Sequence, residues 1–445
     1  MSDLQKSFAK SKLAKFPPEA PMEEPMIEEA WESGSSASSV SSTGTAVPSP
    51  TRQLFARAGR RQSSQTSLTW TDFFEQELFL PDDVGNLRIV HHVYLTPPVD
   101  KAPLFVMHHG AGSSGLSFAT CADEIRKILP KAGILSLDAR SHGRTVMSTQ
   151  DTNTKSNGEN PSTADAAQTE ASGQVELDLS LETLSRDLVY VIRQTQTRMG
   201  WQDLPDMILV GHSLGGAVIT DVAKNGELGP KLLAYAVLDV VEGSAIDALQ
   251  SMDMYLSTRP TRFPSLQSGI EWHTRSRTIR NTTSARASVP SLLYEESTAT
   301  DSSRPWVWRT NLSATKPFWE NWFVGLSRKF LDARGGKLLL LAGTDRLDKE
   351  LMIGQMQGVF PLIFVFVSRF GKLTIDKGKY QLQVFPEAGH FIHEDQPTKT
   401  AQILADFYRR NDRSALVLPP KVADMQAFAA MKKGGDASGS PAPLK

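Results

Sequence analysis

Residues 209–218 read LVGHSLGGAV. The apolar run MILV (207–210) ends inside this stretch, where a glycine, a histidine and a serine are followed by leucine and two more glycines. GHSLG (211–215) fits G-x-S-x-G, with a strand-like run before it and a helix-like run, GGAVITDV, after it. In that context the pattern is a nucleophile elbow. The serine sits in a tight, strained strand-to-helix turn, and the glycines leave room for close packing. The hydroxyl then points into a pocket beside a helix N-terminus. Ser213 is expected to react, not to pack.

The same grammar repeats along the chain. PLFVMHHG (103–110), GILSLDAR (133–140), LAYAVLDVV (233–241), KLLLLAG (337–343) and YQLQVFP (380–386) are apolar runs of strand length. Most are continuous and not alternating, as expected for parallel strands covered on both faces. Helical stretches separate them, among them SLETLSRDLVYVIRQTQTRM (180–199) with Ser180 as N-cap, and TKTAQILADFYRRN (398–411). This alternation predicts an α/β fold with a mostly parallel central sheet and helices on both faces. Residues 242–330 break it, read as helical and aromatic-rich, and are expected to cap the C-terminal strand edge, where such sheets bind ligands.

A serine hydroxyl is a poor nucleophile and needs a base. PEAGHFIHEDQP (386–397) follows the last strand and offers His390 and His393. The chain order serine, acid, histidine of α/β-hydrolases places the base here and favours His390. His393, beside Glu394 and Asp395, reads as a salt-linked surface residue or an orienting one. The base needs an acid to fix its tautomer. Asp239 and Asp345 both follow apolar strands, and position alone slightly favours Asp345, with Asp348 weaker. The oxyanion would be held by the backbone N–H of Leu214 and, from the loop HHGAGSSG (108–115), of Ala111. LDARSHGRT (137–145) reads as a structural turn, so Asp138, Arg140 and His142 are assigned to scaffold. The pairs His108–His109 and His390/His393 lack a metal-ligand spacing with a matching acidic set, and no metal or cofactor is expected.

Composition bounds the rest. The 445 residues carry a formal net charge of −1, which draws the chain neither to nucleic acid nor to an anionic membrane. A single cysteine, Cys121, allows no internal disulfide and suits a reducing compartment. No apolar run reaches the roughly 18–20 residues that span a bilayer, the longest being VFPLIFVFV (359–367). A cytoplasmic and/or nuclear protein is expected. Residues 1–66 are Ser/Pro-rich and read as a disordered tail. The core then spans 67–241, with a flexible insertion at 148–174, and 331–415, around the cap at 242–330. A shorter polar stretch at 288–305 reads as a second surface insertion, and 416–445 as a C-terminal extension.

LDVVEGSAIDALQSM (238–252), LSTRPTRFPSLQSGIEWHTRSRTIRN (256–281), WRTNLSATKPFWENWFVGLS (308–327) and LLLLAGTDRLDKELMIGQMQG (338–358) are specific beyond the elbow. Together they closely resemble the protein phosphatase methylesterase family, with gaps, from about Trp70 to Arg410. The resemblance implies an α/β-hydrolase fold and a cofactor-free serine hydrolase. Its substrate would be the C-terminal leucine methyl ester of the protein phosphatase 2A catalytic subunit, which would also be its binding partner. It implies catalytic Ser213 and His390, and it takes the acid from the DVVEG block as Asp239, reversing the positional preference. Asp345 becomes a candidate for support or substrate contact, and the cap aromatics Trp272, Trp319 and Trp322 become candidates for binding the protein C-terminus. The resemblance also implies that the phosphatase helps align the triad. A generic carboxylesterase or lipase, or a phosphatase-binding regulator with a vestigial site, are the alternative readings. One departure is odd: deleting 359–378 restores the family pattern. An apolar run without turn residues makes a poor surface insertion, so a translated, unspliced intron of about sixty nucleotides, three per residue, is expected there.

Overall fold

The computed structural model describes residues 67–149, 177–296, 303–343, 347–359 and 380–414. The expected tail 1–66, nearly all of the insertion 148–174, the segment 360–378 and the extension 416–445 lie outside the described residues.

In chain order the strands are β1 (Gln76–Val84), β2 (Leu87–Thr96), β3 (Leu104–His108), β4 (Gly133–Asp138), β5 (Val146–Thr149) and β6 (Met207–His212). Then come β7 (Leu232–Leu238), β8 (Arg262–Phe263), β9 (Leu293–Glu295), β10 (Trp306–Trp308), β11 (Gly336–Leu341) and β12 (Tyr380–Val384). Nine of them make one sheet in the order β1-β2-β4-β3-β6-β7-β11-β12, with β5 also paired to β2. From β4 to β12 every neighbour is parallel, while β1, β2 and β5 run antiparallel.

Adjacent residues of each parallel strand point to opposite faces, and both faces are covered. Leu104, Val106, Leu209, Val237 and Leu339 join a core with helices Leu181–Met199 and Leu214–Asn225. Phe105, Met107, Ile208, Ala236 and Leu338 join the other core, with helices Ala119–Ile128 and Pro397–Asn411. This explains the unbroken apolar runs. Each such side chain contributes about 1.5–3 kcal/mol by leaving water. Ser180 caps its helix as expected, accepting from Thr183 N at 3.3 Å.

The segment 242–330 holds helices Glu242–Thr258, Leu266–Arg275, Thr282–Ser288, Trp319–Phe323 and Leu326–Asp332. It also holds a small antiparallel sheet, β8-β10-β9, that the helical reading did not include. These strands are two or three residues long, too short for periodicity to register. Val289 and Leu293 are fully buried in the cap's own core with Phe263, Ile270 and Ile279. Ser288, Val289 and Leu293 are thus buried in the cap, which corrects the reading of the first part of 288–305 as a surface insertion, whereas Glu295, Ser303 and Arg304 are exposed.

Candidate active site

Because the strands are parallel, the turns after β3, β6, β7 and β12 all open at one edge of the sheet, and the candidate residues come from them. Ser213 follows β6 with φ 52° and ψ −119°, a backbone region that L-residues rarely adopt. The turn survives because its neighbours over-determine it. Ser213 N donates to Leu238 O of β7 at 3.0 Å, and Ser213 O accepts from Gly216 N at 2.8 Å. A Cβ on Gly215 would stand 2.1 Å from His108 O, and one on Gly211 would stand 2.2 Å from Gly215 O. The glycines of the motif are there so that β3, β6 and the following helix can touch through main chain alone.

Asp239 follows β7, also with positive φ, 53°. Its N–H donates to Leu340 O at 2.7 Å, and its Oδ1 accepts from Ala342 N at 2.8 Å, both from the β11 end. Its Oδ2 lies 2.8 Å from His390 Nδ1. The carboxylate is fully buried, whereas the imidazole is 44% exposed. A carboxylate accepts, so Nδ1 carries the proton and Nε2 is left as the basic nitrogen. His390 O accepts from His212 Nε2 at 2.9 Å, which ties the base's backbone to the residue just before Ser213. Among the described residues no hydrogen bond joins Ser213 Oγ to His390.

The loop after β3 lies against Ser213. A Cβ on Gly110 would be 3.0 Å from Ser213 Cβ, so Ala111 follows a residue already in contact with it. Leu214 is the first residue of its helix, where an N–H has no intrahelical acceptor. The 137–145 turn holds this loop. His142 Nε2 accepts from Gly112 N at 2.9 Å and its Nδ1–H donates to Arg140 O at 2.8 Å. Asp138 Oδ1 accepts from Gly115 N at 2.7 Å, and His109 Nε2 accepts from Ala139 N at 2.9 Å. Burial raises the Asp138 carboxyl, but the His92 hydrogen bond, the charges of His92 and His109 and the Arg144 N–H together outweigh it and bring the value to about 2. Arg140 forms two 2.8 Å bonds to buried Asp187. Asp138, Arg140 and His142 thus all touch scaffold.

Eight of the nine histidines are buried, and His390 is the exposed one. Burial pushes His212 well below the ordinary imidazole range, His108 to about 4 and His393 to about 3. His92 is the exception: desolvation pulls it down, but hydrogen bonds to Asp138 and Glu77 raise it on balance. His393 is not the surface residue read from its acidic neighbours. It stacks on Phe118 at 4.2 Å between ring centres and is completely buried. Glu394 and Asp395 are buried with it, inside the one-turn helix Ile392–Asp395. A turn this short leaves no periodic signal in the sequence.

The aromatic candidates separate. Trp319 and Trp322 lie in the main core, their indole N–H groups satisfied by Thr315 Oγ1 and Leu179 O, each at 2.7 Å. They are packing residues, which corrects their reading as substrate contacts. Trp272 keeps exposed surface and meets Trp308 and Phe263 in the cap at 6.0 and 6.1 Å. Asp345 lies outside the described residues. Asp348 Oδ1 caps the helix Lys349–Val359 through Leu351 N at 2.9 Å, and Oδ2 bonds Ser327 Oγ. Asp82, His91 and Asp187 place one potential metal donor each within 4.8 Å of one another. Both Asp187 oxygens already serve Arg140, so this cluster reads as an ion-pair network. Among the described residues no helix is long and apolar enough to cross a membrane.

Comparison with known proteins agrees with the geometry. The α/β-hydrolase family model matches residues 105–403. A protein named protein phosphatase methylesterase 1 from Aspergillus fumigatus is 69% identical over 444 residues, covering 99% of this chain and 96% of that protein. Its namesake in Neurospora crassa is 53% identical, covering 96% of this chain and 99% of its own. That of Schizosaccharomyces pombe is 40% identical, covering 79% and 87%. Among solved structures, E-2-(acetamidomethylene)succinate hydrolase superposes with TM-score 0.51 at 14% identity, over 75% of this chain and 100% of that one, a likeness of fold alone. The chain belongs to the protein phosphatase methylesterases, carboxylic ester hydrolases of the α/β-hydrolase fold.

Proposed function

We propose that this methylesterase acts on the C-terminal leucine methyl ester of the protein phosphatase 2A catalytic subunit, through Ser213, His390 and Asp239. The hydrogen bond between buried Asp239 and His390 at the mouth of the Ser213 turn carries the reading. The relatives' shared name supports a protein phosphatase as substrate and binding partner.

In the first step His390 Nε2 takes the Ser213 proton as Oγ attacks the ester carbonyl. Asp239 stabilises the imidazolium, and the N–H groups of Leu214 and Ala111 hold the oxyanion. The tetrahedral adduct collapses, methoxide leaves with the proton from His390 as methanol, and an acyl-enzyme remains. Water, deprotonated by His390, then attacks the acyl carbon. Ser213 recovers its proton, and the leucine carboxylate leaves with a proton released to solvent. The cap supplies specificity for a protein C-terminus, with Trp272 as the member of the aromatic set that keeps surface for it. Asp345 is a further candidate for support or contact.

The test is demethylation of purified, methylated phosphatase. Wild type is expected to release methanol, and Ser213→Ala to lose about 10³-fold or more in kcat while still binding the phosphatase. Retained turnover in Ser213→Ala would falsify the nucleophile assignment. Comparable rates on short acyl esters, without phosphatase binding, would point instead to a generic esterase.

A further inference from the structure

The backbone around His390 is held from two directions. On the carbonyl side, His212 donates to His390 O. On the amide side, the residue before the base, Gly389, donates its N–H to Asp395 Oδ2 at 2.6 Å. The other oxygen of the same carboxylate, Oδ1, accepts from Arg280 N at 2.7 Å. Arg280 belongs to the turn between cap helices Leu266–Arg275 and Thr282–Ser288. Its guanidinium bonds back onto the same loop through Nη1 and Glu387 O, and its Nε stands 3.7 Å from Asp395 Oδ2. Asp395 is 1% exposed in its side chain, so these are desolvated, charge-assisted contacts.

We infer that Asp395 is a positioning residue for the base, clamping the 387–390 loop to the cap at Arg280 so that the cap sets where His390 stands. This rests on the reading of Ser213 and His390 as nucleophile and base. Asp395 touches no reacting atom. It acts through one peptide, and a peptide shift of about 1 Å at a general base can cost about 10²-fold in rate. An asparagine at 395 cannot replace it. Its amide offers one acceptor oxygen where two backbone N–H groups need one each.

The experiment uses the full chain as wild type, Asp395→Asn, Arg280→Ala, the double variant and Ser213→Ala. Two activities are read, alongside the melting temperature of each protein. One is the rate at which a small fluorophosphonate labels the active serine, which needs an aligned base but no protein substrate. The other is kcat and KM on a peptide bearing a C-terminal leucine methyl ester. Asp395→Asn is expected to lower both kcat and the labelling rate by about 10–100-fold, with KM within about twofold. Arg280→Ala is expected to lower them less. The double variant should fall somewhat below Asp395→Asn alone, because the Arg280 guanidinium also holds the loop through Glu387 O, independently of Asp395. If Asp395→Asn does not fold, Arg280→Ala carries the test. Folded variants that label at the wild-type rate, beside an inert Ser213→Ala, overturn the positioning role and leave the nucleophile reading standing. Labelling of Ser213→Ala at the wild-type rate overturns the nucleophile reading, and the positioning role with it.

Discussion

At residue scale, Asp239 shows how main chain decides which carboxylate meets His390. Asp239 and Asp345 both follow apolar strands, position slightly favoured Asp345, and the family resemblance alone reversed that preference. In the structure Asp239 is aimed by its own positive φ and by two β11 contacts, to Leu340 O and Ala342 N. None of these three determinants has a side-chain signature. The aim predicts the outcome of Asp239→Asn. An amide in that place can present N–H₂ to Nδ1 and favour the wrong imidazole tautomer. A loss of about 10⁴-fold in kcat is expected with the fold intact, measured as ester turnover beside an unchanged melting temperature. A loss under tenfold would mean that another group orients the ring.

At element scale, the short helix Ile392–Asp395 is wedged against helix Thr282–Ser288 of the cap. Ser284 Oγ donates to Glu394 O at 2.7 Å. Ser288 Oγ stands 3.0 Å from Ser284 O and 2.5 Å from Glu394 Oε1. Ser288 Oγ has one proton to donate and two acceptors within reach, the Ser284 carbonyl and the Glu394 carboxyl. Burial pushes Glu394 well above its ordinary 4.5, with the bond donated by Ser288 opposing and Asp395 reinforcing. A folded pKa above the unfolded one means that the folded chain holds the proton more tightly. Stability from this group is therefore full below about 4.5 and is lost as pH rises through the folded value. Asp395, also raised chiefly by burial, adds the same sign. Glu394→Gln keeps an acceptor for Ser288 without the titration. It is expected to gain stability over wild type at pH 8 and little at pH 4, read from denaturant midpoints at the two pH values. Equal gaps at both would show that Glu394 is ionised in the fold.

At the scale of the whole molecule, what the sequence disclosed followed from how each part is buried. The six parallel strands β3, β4, β6, β7, β11 and β12 stood out because a sheet covered on both faces needs apolar residues without interruption. The β1–β2 hairpin went unremarked. Its outer strand β1 lies at the sheet edge, where exposed and buried residues alternate, as in Leu78, Phe79, Leu80 and Pro81. The elbow was legible because its glycines answer to a steric requirement that no other residue meets. The Asp395–Arg280 clamp was not, because 115 positions separate its two ends and neither has a motif.

The uneven burial of the histidines gives the folded chain one further property, its chemical selectivity. Diethyl pyrocarbonate acylates neutral imidazole nitrogens that it can reach. Eight of the nine rings are sealed from solvent, so only His390 offers itself. Reagent in modest excess should add one carbethoxy group per native chain, seen as absorbance near 240 nm. Esterase activity should disappear in step with that single addition and return with hydroxylamine. Two or more groups added before activity falls would contradict the burial pattern.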